Sequence, residues 1–314
     1  MSVRPVRRIV QATPQLEGAG VKLQRGFGFG DTTEFDPFLL FDDFRNENPD
    51  DYLAGFPWHP HRGIETITYV LAGQVEHGDS LGNRGNLGAG DVQWMTAGSG
   101  ILHQEMPQGD AHGRMHGFQL WANLPASLKM TAPRYQDVVA KDIPEVVDDD
   151  GTRVRVICGD FAGKTGPIDG VAAEPRYLDI SVPPGRRKRL AVDTSRHAFA
   201  YVFAGSGTFR DASEPRAVQT DQVGESVRRP DLMPDLIRSG PLQDDNDAKN
   251  RSLVLFDSGD EVVVQAGDEG IRFLLVSGKP LEEPVAWYGP IVMNTREQLQ
   301  QAIAELRDGT FIKG

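Results

Sequence analysis

Along most of this chain, apolar residues come in short bursts and not at the three-to-four-residue spacing of an amphipathic helix. Residues 66–71, 91–95, 118–121, 177–182, 198–203, 261–264 and 271–276 are rich in β-branched and aromatic side chains, and Gly, Pro, Asn or Asp interrupts each run. Many short strands divided by turn signals predict sandwiches or barrels. The run 69–75 (Tyr-Val-Leu-Ala-Gly-Gln-Val) resembles 201–207 (Tyr-Val-Phe-Ala-Gly-Ser-Gly), and a Gly-Asp turn follows later in each half, at Gly90-Asp91 and Gly259-Asp260. Two related β domains explain this better than one large sheet. An acidic, turn-rich stretch at 145–151 sets the boundary near 140, giving domains 1–140 and 141–314.

Two segments depart from the strand pattern. Residues of about 211–250 are rich in Asp, Arg, Pro, Ser and Gln and read as a polar surface insertion in the second domain. The C-terminus predicts a short helix. Thr295 and Gln298 form a capping-box pair, Leu299, Ala302, Ile303 and Leu306 follow helical spacing, and Gly309 stops it.

Composition narrows the function classes. Thirty-five glycines in 314 residues fit a turn-rich β protein. A net charge of −12 argues against nucleic-acid binding. With one cysteine, Cys158, neither an intramolecular disulfide nor a thiolate cluster can form. No apolar run has the length of a membrane span, and the basic first eight residues lack a following apolar run, so the expected location is the cytoplasm.

The chemistry lies in two stretches: 55–65, holding His59, His61 and Glu65, and 98–105, holding His103 and Glu105. Residues two apart on a strand share a face, so His59 and His61 point together, as do His103 and Glu105. On adjacent strands of a barrel the two pairs would converge, giving three imidazoles and a carboxylate suited to one divalent first-row metal with room for exogenous ligands. Iron, Mn, Ni, Cu and Zn all fit such a set. Glu65, counted at the same strand parity as His59 and His61, is a rival ligand or a group that orients one from behind. His77 reads as exposed beside a turn, and His112 and His116 as loop residues; His197 stands alone in the second half, which leaves no second ligand set there.

Three other motifs carry less. Gly78-Asp79-Ser80-Leu81-Gly82 matches a nucleophile elbow, but a glycine-rich loop follows where a helix is required. Gly26-Phe27-Gly28-Phe29-Gly30 lacks the spacing of a dinucleotide fingerprint. Asp42 and Asp43 read as a turn or surface pair.

The run 56–66 (Phe-Pro-Trp-His-Pro-His-Arg-Gly-Ile-Glu-Thr) and the run 90–105 (Gly-Asp-Val-Gln-Trp-Met-Thr-Ala-Gly-Ser-Gly-Ile-Leu-His-Gln-Glu) resemble the signatures of the pirin family in the cupin superfamily. Stretches 118–124 and 289–295 are similar too. The resemblance implies an all-β bicupin: two double-stranded β-helix (jelly-roll) barrels with a short C-terminal helix. It implies that His59, His61, His103 and Glu105 hold a single metal, foremost iron, in the first barrel, and that the second barrel lacks a metal. It further implies quercetin 2,3-dioxygenase-like activity on a phenolic or flavonol substrate with O2. Glu105 or Glu65 would then act as base and Phe56 and Gln119 would line the substrate pocket, while Trp94 and Met95 are read as core. Some pirins act instead as regulators through protein partners, so a non-enzymatic metal-containing cofactor of transcription or enzyme activity is the alternative.

Overall fold

The computed structural model describes residues 2–209 and 247–313, so the polar stretch of about 211–250 lies outside the described residues except for its last four. The first half contributes β1 (Val6–Gln11), β2 (Thr13–Glu17), β3 (Val21–Phe27), β4 (Phe38–Asp43), β5 (Phe56–His61), β6 (Ile64–Ala72), β7 (Gln74–Asp79), β8 (Arg84–Leu87), β9 (Val92–Thr96), β10 (Ile101–Gln108), β11 (His116–Asn123) and β12 (Arg134–Val138). The second contributes β13 (Glu145–Val147), β14 (Arg153–Cys158), β15 (Asp160–Phe161), β16 (Lys164–Thr165), β17 (Arg176–Val182), β18 (Arg187–Ala191), β19 (His197–Thr208), β20 (Asp247–Lys249), β21 (Ser252–Phe256), β22 (Glu261–Gly278), β23 (Ala286–Tyr288) and β24 (Ile291–Met293). Among the described residues, α-helix is confined to the single turn α1 (Thr32–Phe35) and to α2 (Arg296–Arg307).

A seven-stranded antiparallel sheet, β12-β9-β6-β11-β4-β3-β2, faces a four-stranded one, β5-β10-β7-β8, and the two enclose the first barrel. The second half forms one continuous sheet, β1-β21-β19-β22-β17-β14-β13, with β18 paired to β22 and β20 to β19. It curls because the long β22 turns at Gly270, whose φ of 81° favours glycine: one end of β22 pairs with β18, the other with β17. The all-β, two-barrel expectation holds, and the fold is cupin-type. One element crosses over: β1, at the start of the chain, pairs with β21 in the sheet of the second half.

Strand periodicity explains how the halves meet. On β6, Ile67 and Tyr69 point away from the first barrel's interior, while Thr68 points into it. The outward row joins Phe41, Trp94 and Phe118 with Tyr177, Phe199, Tyr201 and Leu274 of the second half in one apolar cluster. Phe199 is its hub, with ring centroids 5.2 Å from Phe27, 5.7 Å from Phe38 and 5.9 Å from Phe41. The internal repeat becomes a reciprocal clasp here. Tyr69 donates to Asp179 across the interface at 2.7 Å, and Tyr201 donates back to Asp43 at 2.9 Å. Arg272 donates to both oxygens of Asp179, and Arg45 donates its guanidinium to the Asp43 oxygen that Tyr201 uses and its backbone N–H to the other, so neither carboxylate is buried unpaired.

The C-terminal segment returns to the first barrel. Thr295 caps α2 in the predicted capping box, and Ala302 is buried beneath the helix. Arg62, just after β5, pairs with Glu305 of α2 at 2.7 Å, donates to the Phe311 carbonyl at 2.7 Å and lies 4.1 Å above the Phe311 ring. Buried Lys129 donates to the carbonyls of Gly63 and Val292 and to Asn123 Oδ1. These bonds anchor the turn that follows β5.

Candidate metal centre

Strands β5 and β10 are antiparallel neighbours with His103 opposite His59. β5 is an edge strand, which is why it tolerates Pro57 and Pro60, residues with no N–H to give a ladder. β10 pairs without a shift against β7 over this stretch, so strand alternation puts His103 and Glu105 on one face, toward the barrel interior. The two residue pairs therefore meet as their spacing predicts. The Nε2 atoms of His59 and His61 lie 3.1 Å apart, those of His59 and His103 2.9 Å apart, and the ligand atoms of all three residues fall within 4.8 Å of one another. Glu105 Oε2 is 3.9 Å from His103 Nε2.

Those separations fit a shared cation. Two nitrogens each about 2.1 Å from one ion and at right angles to each other are about 3.0 Å apart. The protonation states fit too. Burial lowers the pKa of all three imidazoles, strongly for His61 and His103. Neutral rings leave a lone pair for a metal. His59 Nδ1 sits 2.8 Å from the Pro57 carbonyl, a contact that puts the ring proton on Nδ1 and leaves Nε2 free to coordinate. Burial raises the Glu105 carboxyl to about 7, and a hydrogen bond from Thr68 to its Oε1 at 3.1 Å opposes that rise.

Glu65 is not part of this constellation. Gly63, with φ of 76°, separates β5 from β6, so strand parity does not carry across. A Cβ at Gly63 would sit 1.9 Å from the Val292 carbonyl, so the turn admits only glycine. Beyond it, Glu65 faces the second half and accepts from Thr96 at 2.8 Å. It can neither reach the imidazoles nor serve as base there. His77 also differs from expectation. It is buried on β7 with Gln93 Nε2 3.0 Å from its Nε2. His116 lies on β11 against Phe118 and Phe203, not in a loop. Asp42 and Asp43 form no surface turn, because β4 is buried along its whole length.

His59, His61 and Glu105 lie at a cavity of about 500 Å3 that Phe56 and Gln119 also line, while His103 is buried behind them. Trp94 and Met95 pack in the core, as expected. Sequence reasoning missed the rest of the wall. Trp121 stands edge-on to His61 with centroids 5.2 Å apart, and Trp287 of β23 lies 4.8 Å from Phe29. On the far wall Arg25 grips Asp42 through two bonds, of 2.9 and 2.8 Å. Burial outweighs that grip and holds the Asp42 carboxyl at about 6. The Phe118–Trp121 strand pattern could have indicated Trp121, whereas Trp287 needed the return of the C-terminal segment.

No helix among the described residues is long and apolar enough to cross a membrane. The pirin family model matches residues 20–122, and the pirin C-terminal cupin domain model matches 236–312. A pirin-like protein of Caulobacter vibrioides is 43% identical over 312 residues, covering 99% of this chain and 100% of that protein. A Pseudomonas aeruginosa protein provisionally named a quercetin 2,3-dioxygenase is 39% identical over 312 residues, covering 98% of each. A crystal structure of quercetin 2,3-dioxygenase from Acinetobacter baumannii aligns with a TM-score of 0.81 at 29% identity, covering 99% of both chains. With two family models on its two halves and relatives similar over nearly its whole length, the chain belongs to the pirin family.

Proposed function

We propose that this protein is a metal-dependent dioxygenase that opens a flavonol ring, with quercetin as the test substrate and iron as the metal on His59, His61, His103 and Glu105. The observation that carries this reading is the convergence of the His59, His61 and His103 imidazoles, with Glu105 beside His103, where His59, His61 and Glu105 open onto the cavity. Names of relatives point the same way: the Acinetobacter neighbour is a quercetin 2,3-dioxygenase.

A divalent ion bound there would supply an open face for O2 and for the adjacent hydroxyl and carbonyl of a flavonol, and would acidify that hydroxyl. The chain's own residues do the remaining work. Glu105 takes the hydroxyl proton, since its carboxyl exchanges near neutral pH in its buried setting. Thr68 holds Glu105 at Oε1 and lies 2.9 Å from Gln119 Oε1; its single proton serves one of the two at a time, which leaves Gln119 able to turn toward a ligand. Phe56 and Trp121 offer flat apolar faces to an aromatic substrate and exclude water from it. We place this site in a domain of about residues 1–140, with 141–314 a barrel that carries no metal; His197 is the sole histidine beyond residue 140.

The test is oxygen-dependent loss of quercetin absorbance by protein loaded in turn with Fe, Mn, Ni, Cu and Zn, with His103→Ala as the control. Turnover with at least one metal, absent in the variant, is expected. No turnover with any of the five would overturn the assignment.

A further inference from the structure

A second cleft, of about 650 Å3, lies at the rim between the barrels and shares only Leu23 with the lining of the metal-site cavity. It is lined by Lys22 and Gln24 of β3, by Arg45 and Asn46 after β4, and by Arg251 from the turn between β20 and β21. Among the described residues, three cations and no carboxylate line it, in a chain whose net charge is −12.

The cations are not equivalent. Lys22 is balanced by Asp51 at 2.8 Å. Arg45 is fixed by Asp43, by the Phe203 carbonyl and by Asn250 Oδ1, each at 3.0 Å. Arg251 has no ion pair and no side-chain hydrogen bond among the described residues, and its Nε is buried without a partner, as is that of Arg45. The backbone of Arg251 is held in the left-handed region at φ of 68°. Its N–H donates to Val202 at 2.6 Å and its carbonyl accepts from Ala12 at 2.9 Å. A non-glycine residue in that region costs on the order of 1 kcal/mol, so the fold maintains this placement against local preference. The result is a half-buried guanidinium, without a side-chain partner among the described residues, lining a basic cleft between barrels, where small ligands commonly bind.

We propose that this cleft binds the phosphate or carboxylate group of a small metabolite, with Arg251, which no described carboxylate pairs, supplying the charge and Arg45 and Lys22 flanking it. The planar guanidinium fork matches either oxyanion, whose shared chemistry is two or three oxygens in a plane or cone. The proposal is independent of the reading of the metal centre, because the charge it invokes lies outside that cavity's lining.

Inorganic phosphate and citrate are the probes, titrated calorimetrically into the full chain at low ionic strength, with a thermal-shift series beside them. Saturable binding of at least one is expected, and the tighter of the two names the headgroup chemistry. Arg251→Gln should weaken it by about tenfold or more, the order of one charge-assisted hydrogen bond. Lys164→Gln, which removes the same charge from an exposed hairpin, should leave it unchanged. Arg251 carries the decision because Arg45 also holds Asp43, so its loss could unfold the interface. The proposal is overturned if neither probe saturates at millimolar concentration, if Arg251→Gln binds as wild type does, or if Lys164→Gln loses as much.

Discussion

Lys129→Met tests how the turn after β5 is held, because Lys129 is a cation in an unfavourable place. It is 2% exposed, and burial lowers its pKa from 10.5 to about 7, with Glu283 pulling the other way. Between those two values the unfolded chain keeps a proton that the native protein has released, so raising the pH stabilises the native state. Below pH 7 both states are protonated and the gain is gone. Integrating the linkage from pH 7 to 9 gives about 2 kcal/mol from this one group. Glu105, whose folded pKa is raised, contributes with the opposite sign near pH 7, and burial of Cys158 does so above pH 9. The difference between wild type and variant therefore isolates Lys129. The assay is urea denaturation of metal-free protein followed by tryptophan fluorescence at half-unit steps from pH 7 to 9. Wild type should gain about 2 kcal/mol more than Lys129→Met over that window. At pH 7 the variant trades removal of a buried cation against three carbonyl-type acceptors left unpaired, so its absolute stability should change less than its slope. Parallel curves for the two proteins would refute the reasoning.

Four further outcomes follow from the same geometry. Phe199→Ala empties the hub between the barrels and should cost about 3–5 kcal/mol in denaturant unfolding. Tyr201→Phe removes one of the two donors to Asp43 Oδ2, leaving Arg45, and should cost about 1–2 kcal/mol, less than the Phe199 change. His103→Ala should lower bound metal, measured by plasma emission, from about one ion per chain to a small fraction, with the circular-dichroism spectrum intact. Glu105→Gln should retain part of the metal yet lose turnover, because the amide cannot accept the substrate proton.

Parts of this architecture could be read from residue order alone because they depend on local periodicity. The spacing of His59 with His61 and of His103 with Glu105 needs only the alternation of a strand, and the helix Arg296–Arg307 needs only its Thr295 cap and i, i+3, i+4 spacing. The same alternation failed for Glu65, because one glycine with positive φ ended the strand and moved the next one into the opposite sheet. His77 was read as exposed from its proximity to glycines, yet β7 lies between β8 and β10 and turns it inward. Non-local pairings carry no local signal at all. The docking of β1 onto β21, the return of Trp287 to the cavity and the Tyr–Asp clasp between barrels all join residues more than one hundred positions apart. The repeat hinted at the clasp only in retrospect, since both tyrosines open the matching segments.

In the metal centre proposed above, electrostatics would give the four side chains different tasks. The imidazoles are neutral by burial, so they can fix the position of a dication but cannot offset its charge. Glu105 alone of the four can do so, and in the absence of a cation its carboxyl holds a proton up to about pH 7. Uptake of a dication must therefore expel that proton, which makes the site a stronger competitor for metal as pH rises through neutrality. One unit of positive charge remains after Glu105 is counted. The two carboxylates on the far wall, Asp42 and Glu17, are both bonded to Arg25 and not to the imidazoles. That residual charge selects for an incoming ligand that arrives as, or becomes, an anion. An acidified hydroxyl beside a carbonyl meets this requirement, and a neutral hydrocarbon of the same shape does not.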